Sequence, residues 1–165
     1  MGDASTDADD ASSRARAAAL RYLARRSRTE AEMRRRLRRD FDASAVNAVI
    51  RDLKESGLID DAAFAGAWVE SRSVRKPRSA NAVRRELLAK GVGRETADEA
   101  VTGLDDEESA YRAGLPAAER NAGLPDEAFR RRLWGFLQRR GYGQSVTRRA
   151  IERLSVEVRG DAAEA

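Results

Sequence analysis

The chain has 165 residues, of which 41% are hydrophobic, 5% aromatic and 36% charged, enough apolar material for small helical units leaning on one another but too little for one thick core. It contains no cysteine and no histidine, which excludes disulfides, thiolate metal sites and every triad with His or Cys as base or nucleophile; no catalytic residue, metal or cofactor is expected. The net charge is +4, but Asp3, Asp7, Asp9, Asp10, Asp161 and Glu164 sit at the two ends, so residues 14–160 carry +10, and all but three of the 32 basic residues are arginine. Such a surface points to phosphates or an acidic protein face as partner, or, more blandly, to a GC-rich genome filling solvent positions with arginine.

Residues 1–13 read as a disordered acidic tail that is neither a signal nor a transit peptide. No apolar run approaches the roughly 20 residues of a membrane span, so a cytoplasmic protein without a membrane partner is expected. An amphipathic helix over about 15–26 turns Leu20 and Leu23 inward. A second carries Met33 and Leu37 at i, i+4 and is entered through the capping-box spacing of Thr29 and Glu32. A third, preceded by Ser44, has Val46, Val49, Ile50 and Leu53 at i, i+3, i+4, i+7.

This arrangement then recurs. The stripe returns at Ala97, Ala100, Val101 and Leu104 and again at Thr147, Ala150, Ile151 and Leu154, after steps of 51 and 50 residues. The Met33–Leu37 pair returns at Val83–Leu87 and Leu133–Leu137, each after 50. Ser79 and Ser145 precede later runs as Ser44 precedes an earlier one. Between second and third helices stand Lys90-Gly91-Val92 and Arg140-Gly141-Tyr142, where glycine can take the left-handed C′ conformation; the first copy has Asp40-Phe41 instead. The second unit opens with a helix over 61–75, with Phe64, Ala67 and Trp68 inward and Ile59 and Phe64 spaced as a hydrophobic staple around Asp60. The third opens over 105–120, where Gly114 and Pro116 should kink or shorten the helix. The expected fold is therefore all-α, with three-helix repeats at 14–57, 58–104 and 105–158 and a disordered tail at 159–165. Repeats this short cannot bury a face alone, so they should stack into an elongated, curved molecule.

Candidate binding residues follow from the charge. On the second helix Arg35, Arg38 and Arg39 point away from Met33 and Leu37, flanked by Arg34 and Arg36, and residues 14–57, which include Arg25, Arg26 and Arg28, hold 13 basic against 6 acidic residues. Arg72, Arg75, Lys76 and Arg78 form a basic segment interrupted by Pro77, and Arg84 and Arg85 repeat Arg34 and Arg35. The third repeat adds Arg130, Arg131, Arg132, Arg139, Arg140, Arg148 and Arg149. Each is either a phosphate or acidic-protein contact or part of an ordinary solvated face. Trp68 and Trp134 could stack on bases, but no aromatic platform surrounds them and core packing is expected. The acidic groups Asp60-Asp61 and Asp105-Asp106-Glu107-Glu108 could be read as the magnesium ligands of a nuclease, yet their place at helix starts favours capping.

The stretch Ser56-Gly57-Leu58-Ile59-Asp60-Asp61-Ala62-Ala63-Phe64-Ala65-Gly66-Ala67-Trp68-Val69-Glu70-Ser71-Arg72 resembles the signature of the RecX family of recombinase regulators, and residues 26–33 and 85–92 resemble two further family segments. The chain departs from the family pattern at Lys76-Pro77-Arg78-Ser79, where glycine is usual, and at Asp40-Phe41, where Lys-Gly is common. The resemblance implies three stacked three-helix units lying in the groove of the RecA filament on DNA, restraining its growth, ATP hydrolysis and strand exchange, in homologous recombination, DNA repair and the SOS response. It further implies RecA as partner, weak-to-moderate direct contact with single- and double-stranded DNA, a monomer, and a mainly structural role for Gly57, Asp60, Asp61, Phe64 and Trp68. The competing reading is a stand-alone DNA-binding protein using one helix pair as a helix-turn-helix.

Overall fold

A computed structural model describes the backbone of residues 3–164 and the side chains of residues 10–160. Among the described residues there are nine α-helices and no strand: α1 (Asp3–Leu23), α2 (Glu30–Leu37), α3 (Ala43–Glu55), α4 (Asp61–Arg75), α5 (Ala80–Ala89), α6 (Arg94–Val101), α7 (Asp106–Asn121), α8 (Asp126–Arg139) and α9 (Gln144–Glu164). None is long and apolar enough to cross a membrane. The segments 1–13 and 159–165, expected as disordered tails, lie partly outside the described residues; where their backbone is described, it continues α1 and α9.

Two compact units are formed, Met1–Ala67 with Leu87–Ala97, and Trp68–Glu86 with Asp98–Ala165. The first buries Met33 and Leu37 of α2 and the whole Val46, Val49, Ile50, Leu53 stripe of α3 against Ala15 and Ala19. Small residues, spaced i, i+4, are the inward face of α1, so Leu20 is rotated outward and exposed, contrary to expectation, while Leu23 is half-buried and packs against this core as expected. The second unit buries Phe129, Leu133 and Leu137 of α8 and Ala150, Ile151 and Leu154 of α9 against the alanines of α7. Gly114 does not break α7: a Cβ there would lie 2.6 Å from Leu154 Cδ1, so glycine permits close packing of α7 on α9. The helix continues through Pro116, which sits on its exposed side. Tyr142 is swallowed into this core with its hydroxyl 2.7 Å from Ser109 Oγ.

Helix ends follow side-chain chemistry. Thr29 caps α2, accepting from Glu32 N–H at 3.1 Å, Ser79 caps α5 through Ala82 N–H at 3.1 Å, and Asp60 caps α4 through Ala63 N–H at 2.9 Å. Asp42, not Ser44, caps α3. Ser145 lies inside α9, which starts at Gln144. Gly91 and Gly141 take φ of 86° and 89°, as the turn pattern requires, and Gly57 takes 69° at the end of α3. There Leu58 N–H donates to Leu53 C=O at 2.8 Å, closing the helix.

One contact set appears in each unit. In the first, Thr29 Oγ1 donates to Lys90 C=O at 2.7 Å, Glu30 N–H donates to Asp61 Oδ1 at 2.9 Å, and Gly91 sits directly against Ala31. In the second, Ser79 N–H donates to Arg140 C=O at 3.2 Å, Ala80 N–H donates to Asp106 Oδ1 at 2.7 Å, and Gly141 sits against Ser79 and Ala82. Thr29, Glu30 and Lys90 correspond to Ser79, Ala80 and Arg140 at steps of 50. The starts of the first two middle helices, α2 and α5, are thus each clasped by the next repeat's glycine turn and by an aspartate at that repeat's first helix. In the pairs Asp60-Asp61 and Asp105-Asp106, the first carboxylate caps its own helix and the second caps the middle helix of the preceding repeat.

Candidate functional site

Ion pairs divide the candidate arginines into those already engaged and those that are not. On α2, Arg34 donates to Glu30 at 2.7 Å and to Asn47 at 2.6 Å, and Arg36 donates to Asp40 at 2.6 Å. Lys54 also donates to Glu30, at 2.8 Å; hydrogen bonds from Lys54 and then Arg34 hold the Glu30 carboxyl below its usual range. By contrast Arg35, Arg38 and Arg39 are exposed, and their side chains make no hydrogen bond or ion pair among the described residues. The end of α2 and the turn after it therefore present three uncompensated guanidinium groups beside two that are tied down. Nearby, Arg25 is exposed and unpaired, Arg26 reaches Glu32 at 3.2 Å, and Arg28 lies half-buried over the Tyr22 ring at 3.9 Å. Arg28 is part of the packing, with a buried Nε that finds no acceptor.

In the second repeat Glu86 gathers three donors: Trp68 Nε1 at 2.9 Å, Arg72 Nε at 2.7 Å and Arg78 at 3.2 Å. Arg72 also stacks on the Trp68 ring at 4.4 Å. Trp68 is half-buried and so serves as an anchor; Phe64 and Ala65 are buried, while Ala67, expected inward, is exposed because the buried face passes through Ala65 instead. Replacing Trp68 with Phe keeps the stacking ring but removes the indole donor, and should cost about 1 kcal/mol in urea unfolding. No measurable change would mean that the two arginines alone fix Glu86. Arg84 is clamped by Asp98, whose hydrogen bond raises its pKa further. Arg75, Lys76 and Arg85 are exposed and unpaired among the described residues.

Gly57, Asp60, Asp61 and Phe64 belong to the α3–α4 turn and the clasp on α2: Phe64 is buried and Asp61 half-buried, while Gly57 and Asp60 are exposed and serve the turn and the cap. Both carboxylates of the Asp60-Asp61 pair receive amide hydrogen bonds, which is the work of a cap. Burial raises the Asp61 pKa, with the Glu30 amide opposing.

Trp134 is not in the core as expected but 37% exposed. It stands one residue past Leu133, about 100° around α8 from the buried stripe, at the position that Arg34 and Arg84 occupy in the other repeats. Arg112 and Arg120 of α7 were not singled out from the sequence. Their spacing of eight residues, with Pro116 between, places them on one helix face and was the available signal.

Comparison with known proteins accounts for this architecture. Family models described as the first, second and third three-helix domains of RecX match residues 15–53, 60–101 and 105–151. A "Regulatory protein RecX" of Thermobifida fusca is 38% identical over 154 residues, covering 90% of this chain and 83% of the relative. One of Chlorobium limicola is 34% identical over 148 residues, covering 89% and 93%. The crystal structure of RecX from Lactobacillus salivarius superposes with a TM-score of 0.79 at 22% identity, over 90% of this chain and 99% of that one. With all three domains present in order and the relatives matched over most of their length, the chain belongs to the RecX family of regulatory proteins.

Proposed function

We propose that the chain is a non-catalytic regulator of a RecA recombinase, binding in the groove of the RecA–DNA filament and restraining filament growth, ATP hydrolysis and strand exchange. The observation that carries this reading, within a family whose members are named regulatory proteins, is the exposed Arg35, Arg38 and Arg39 at the end of α2 and in the turn after it, whose side chains are unpaired among the described residues. Unpaired guanidinium groups keep their full capacity for bidentate pairing with phosphate or carboxylate, whereas engaged ones such as Arg34 and Arg84 must first break a pair. The exposed Arg75 and Lys76 supply a second contact.

Titrating the protein into a RecA ATPase assay on single-stranded DNA is the test. Inhibition at or below a few-fold excess over filament-bound RecA is expected; none at several-fold excess would sink the proposal. Charge reversal of Arg35, Arg38 and Arg39 together should raise the half-inhibitory concentration about ten-fold, since exposed rim charges act mainly through association. Reversal of Arg75, Lys76 and Arg78 should have a smaller effect, because Arg78 already spends its charge on Glu86. If neither triple variant changes inhibition, the contact lies on other residues.

A further inference from the structure

Between α8 and α9 of the second unit lies a groove of about 430 Å³, with Trp134 and Ile151 as its apolar lining and Arg130, Arg131 and Arg148 around them. Comparison of the repeats explains why it is open. In the first repeat Arg34 donates to Asn47 at 2.6 Å, and in the second Arg84 is clamped by Asp98, each pair tying the repeat's second helix to its third. The third repeat has Trp134 and Arg148 at these positions, and neither side chain makes a hydrogen bond, ion pair or ring contact among the described residues. The bridge is gone, and an indole 37% exposed stands in its place. An exposed tryptophan beside arginine is the composition that protein-contact centres favour.

The charge around the groove is divided. Arg130 donates to Asp126 at 2.7 Å, and Arg159 reaches the same carboxylate at 3.6 Å. Arg131 lies 3.6 Å from Glu127, but the two side chains are 71% and 94% exposed, and such a pair is held weakly in water. Positive charge is therefore left to offer at Arg131, a turn before Trp134 on α8, and at Arg148 on α9. The indole N–H of Trp134 likewise has no acceptor among the described residues. The groove is thus complementary to a ligand with an apolar group at its centre and acceptors or negative charge beside it.

We propose that this groove docks an acidic peptide segment of a partner protein, with one apolar side chain seated on Trp134 and Ile151 and flanking carboxylates paired with Arg131 and Arg148. A nucleic-acid strand fits less well, because Asp126 and Glu127 line the same groove and would repel an unbroken run of phosphates. A peptide spaces its carboxylates along the chain and can turn a backbone amide toward Asp126 or Glu127 and a carbonyl toward the indole. The inference goes beyond the regulation proposed above: it uses none of the α2 arginines, requires no recombinase and is tested without one.

The experiment is fluorescence anisotropy of a labelled peptide, Gly-Asp-Glu-Leu-Phe-Asp-Glu-Gly, titrated with the full chain. Binding that saturates below about 1 mM is expected. It should weaken about five-fold or more when Leu-Phe becomes Ser-Ser, and likewise when the acids become Asn and Gln. Trp134→Arg with Arg148→Asp rebuilds the bridge of the second repeat and should abolish binding, with circular dichroism and thermal melting showing an intact fold. Arg148→Gln alone, at an exposed residue, should weaken binding about three-fold or more, whereas Arg51→Gln, an exposed arginine of α3, should change it less than about two-fold. In Trp68→Phe, Trp134 is the chain's single indole, and its emission should shift to the blue as the unlabelled peptide saturates. Absence of binding, an unmoved emission, or equal binding of the Ser-Ser peptide would overturn the proposal. So would displacement of the peptide by an oligothymidylate whose own binding falls in Arg148→Gln, which would make this a nucleic-acid face. Self-association of the natural chain that the double variant abolishes would overturn it too, by making a second copy the occupant.

Discussion

Gly91→Ala should lower stability by about 2 to 4 kcal/mol, which for a chain of this size is a fall of roughly 10 °C in Tm. Two costs add. Gly91 has φ of 86°, which a Cβ makes unfavourable by about 1 kcal/mol. The new Cβ would also lie well inside van der Waals contact with Ala31 Cβ, which is fixed to the backbone of α2 and cannot rotate away. The turn must then retreat, and the 2.7 Å bond from Thr29 Oγ1 to Lys90 C=O goes with it. Thr29 is fully buried, so its hydroxyl would lose that acceptor away from water. Gly57→Ala is the control: its φ is 69° but nothing lies within 4 Å of the added Cβ, so only the conformational cost of about 1 kcal/mol applies. Thermal melts of the two variants decide the matter; similar Tm values would mean that the turn is not pressed against α2.

The contrast shows where sequence reasoning reaches. Left-handed glycine at 91 and 141 follows from a helix that stops before an apolar residue, which is local information. That Gly91 meets Ala31, sixty residues away, is not local, and no spacing along the chain announces it. Helix periodicity likewise identified Met33, Leu37, Val46, Val49, Ile50 and Leu53 as core, because long apolar stripes on a 3.6-residue period have one buried side. It misjudged Leu20 and Ala67, which are exposed, because the buried faces run through Ala15 and Ala19 on α1 and through Phe64 and Ala65 on α4. Ala15 and Ala19 won on α1 because small residues let α3 approach.

The binding surface was less legible for a related reason. Counting charge finds every arginine, but only geometry tells Arg34, tied to Glu30 and Asn47, from Arg35 beside it, which is exposed and unpaired. The acceptors lie at i−4 in one case and thirteen residues away in the other. Arg84 and Asp98 form the equivalent pair in the second repeat, one residue further apart. Read across repeats, the recurrence of an acceptor on the third helix opposite an arginine on the second would have removed Arg84 from the candidates. In the third repeat those positions are Trp134 and Arg148, so the pair is absent there.

Asp61 gives a prediction in which two substitutions at one position should behave oppositely. Asp61→Ala removes the acceptor for Glu30 N–H, the first amide of α2, and should cost about 1 to 2 kcal/mol. Asp61→Asn keeps a carbonyl oxygen in the same place while removing the charge, and should be as stable as the natural chain at neutral pH or slightly more so. The reason is the direction of the Asp61 pKa, which burial raises above 3.8 despite the amide bond. A carboxyl with a raised pKa in the folded state favours folding when protonated: its contribution is fully present below 3.8 and lost as pH rises through the folded value. Glu30 runs the other way, since its lowered pKa adds stability above 4.5 that is lost on acidification. In the natural chain the two slopes oppose each other, whereas in Asp61→Asn only the Glu30 slope remains. Any advantage of the Asn variant should therefore be greatest near neutral pH and shrink as the pH falls toward 3.8. Urea unfolding at a series of pH values measures this, and a difference between the two proteins that stays constant with pH would show that the Asp61 charge is not desolvated by the clasp.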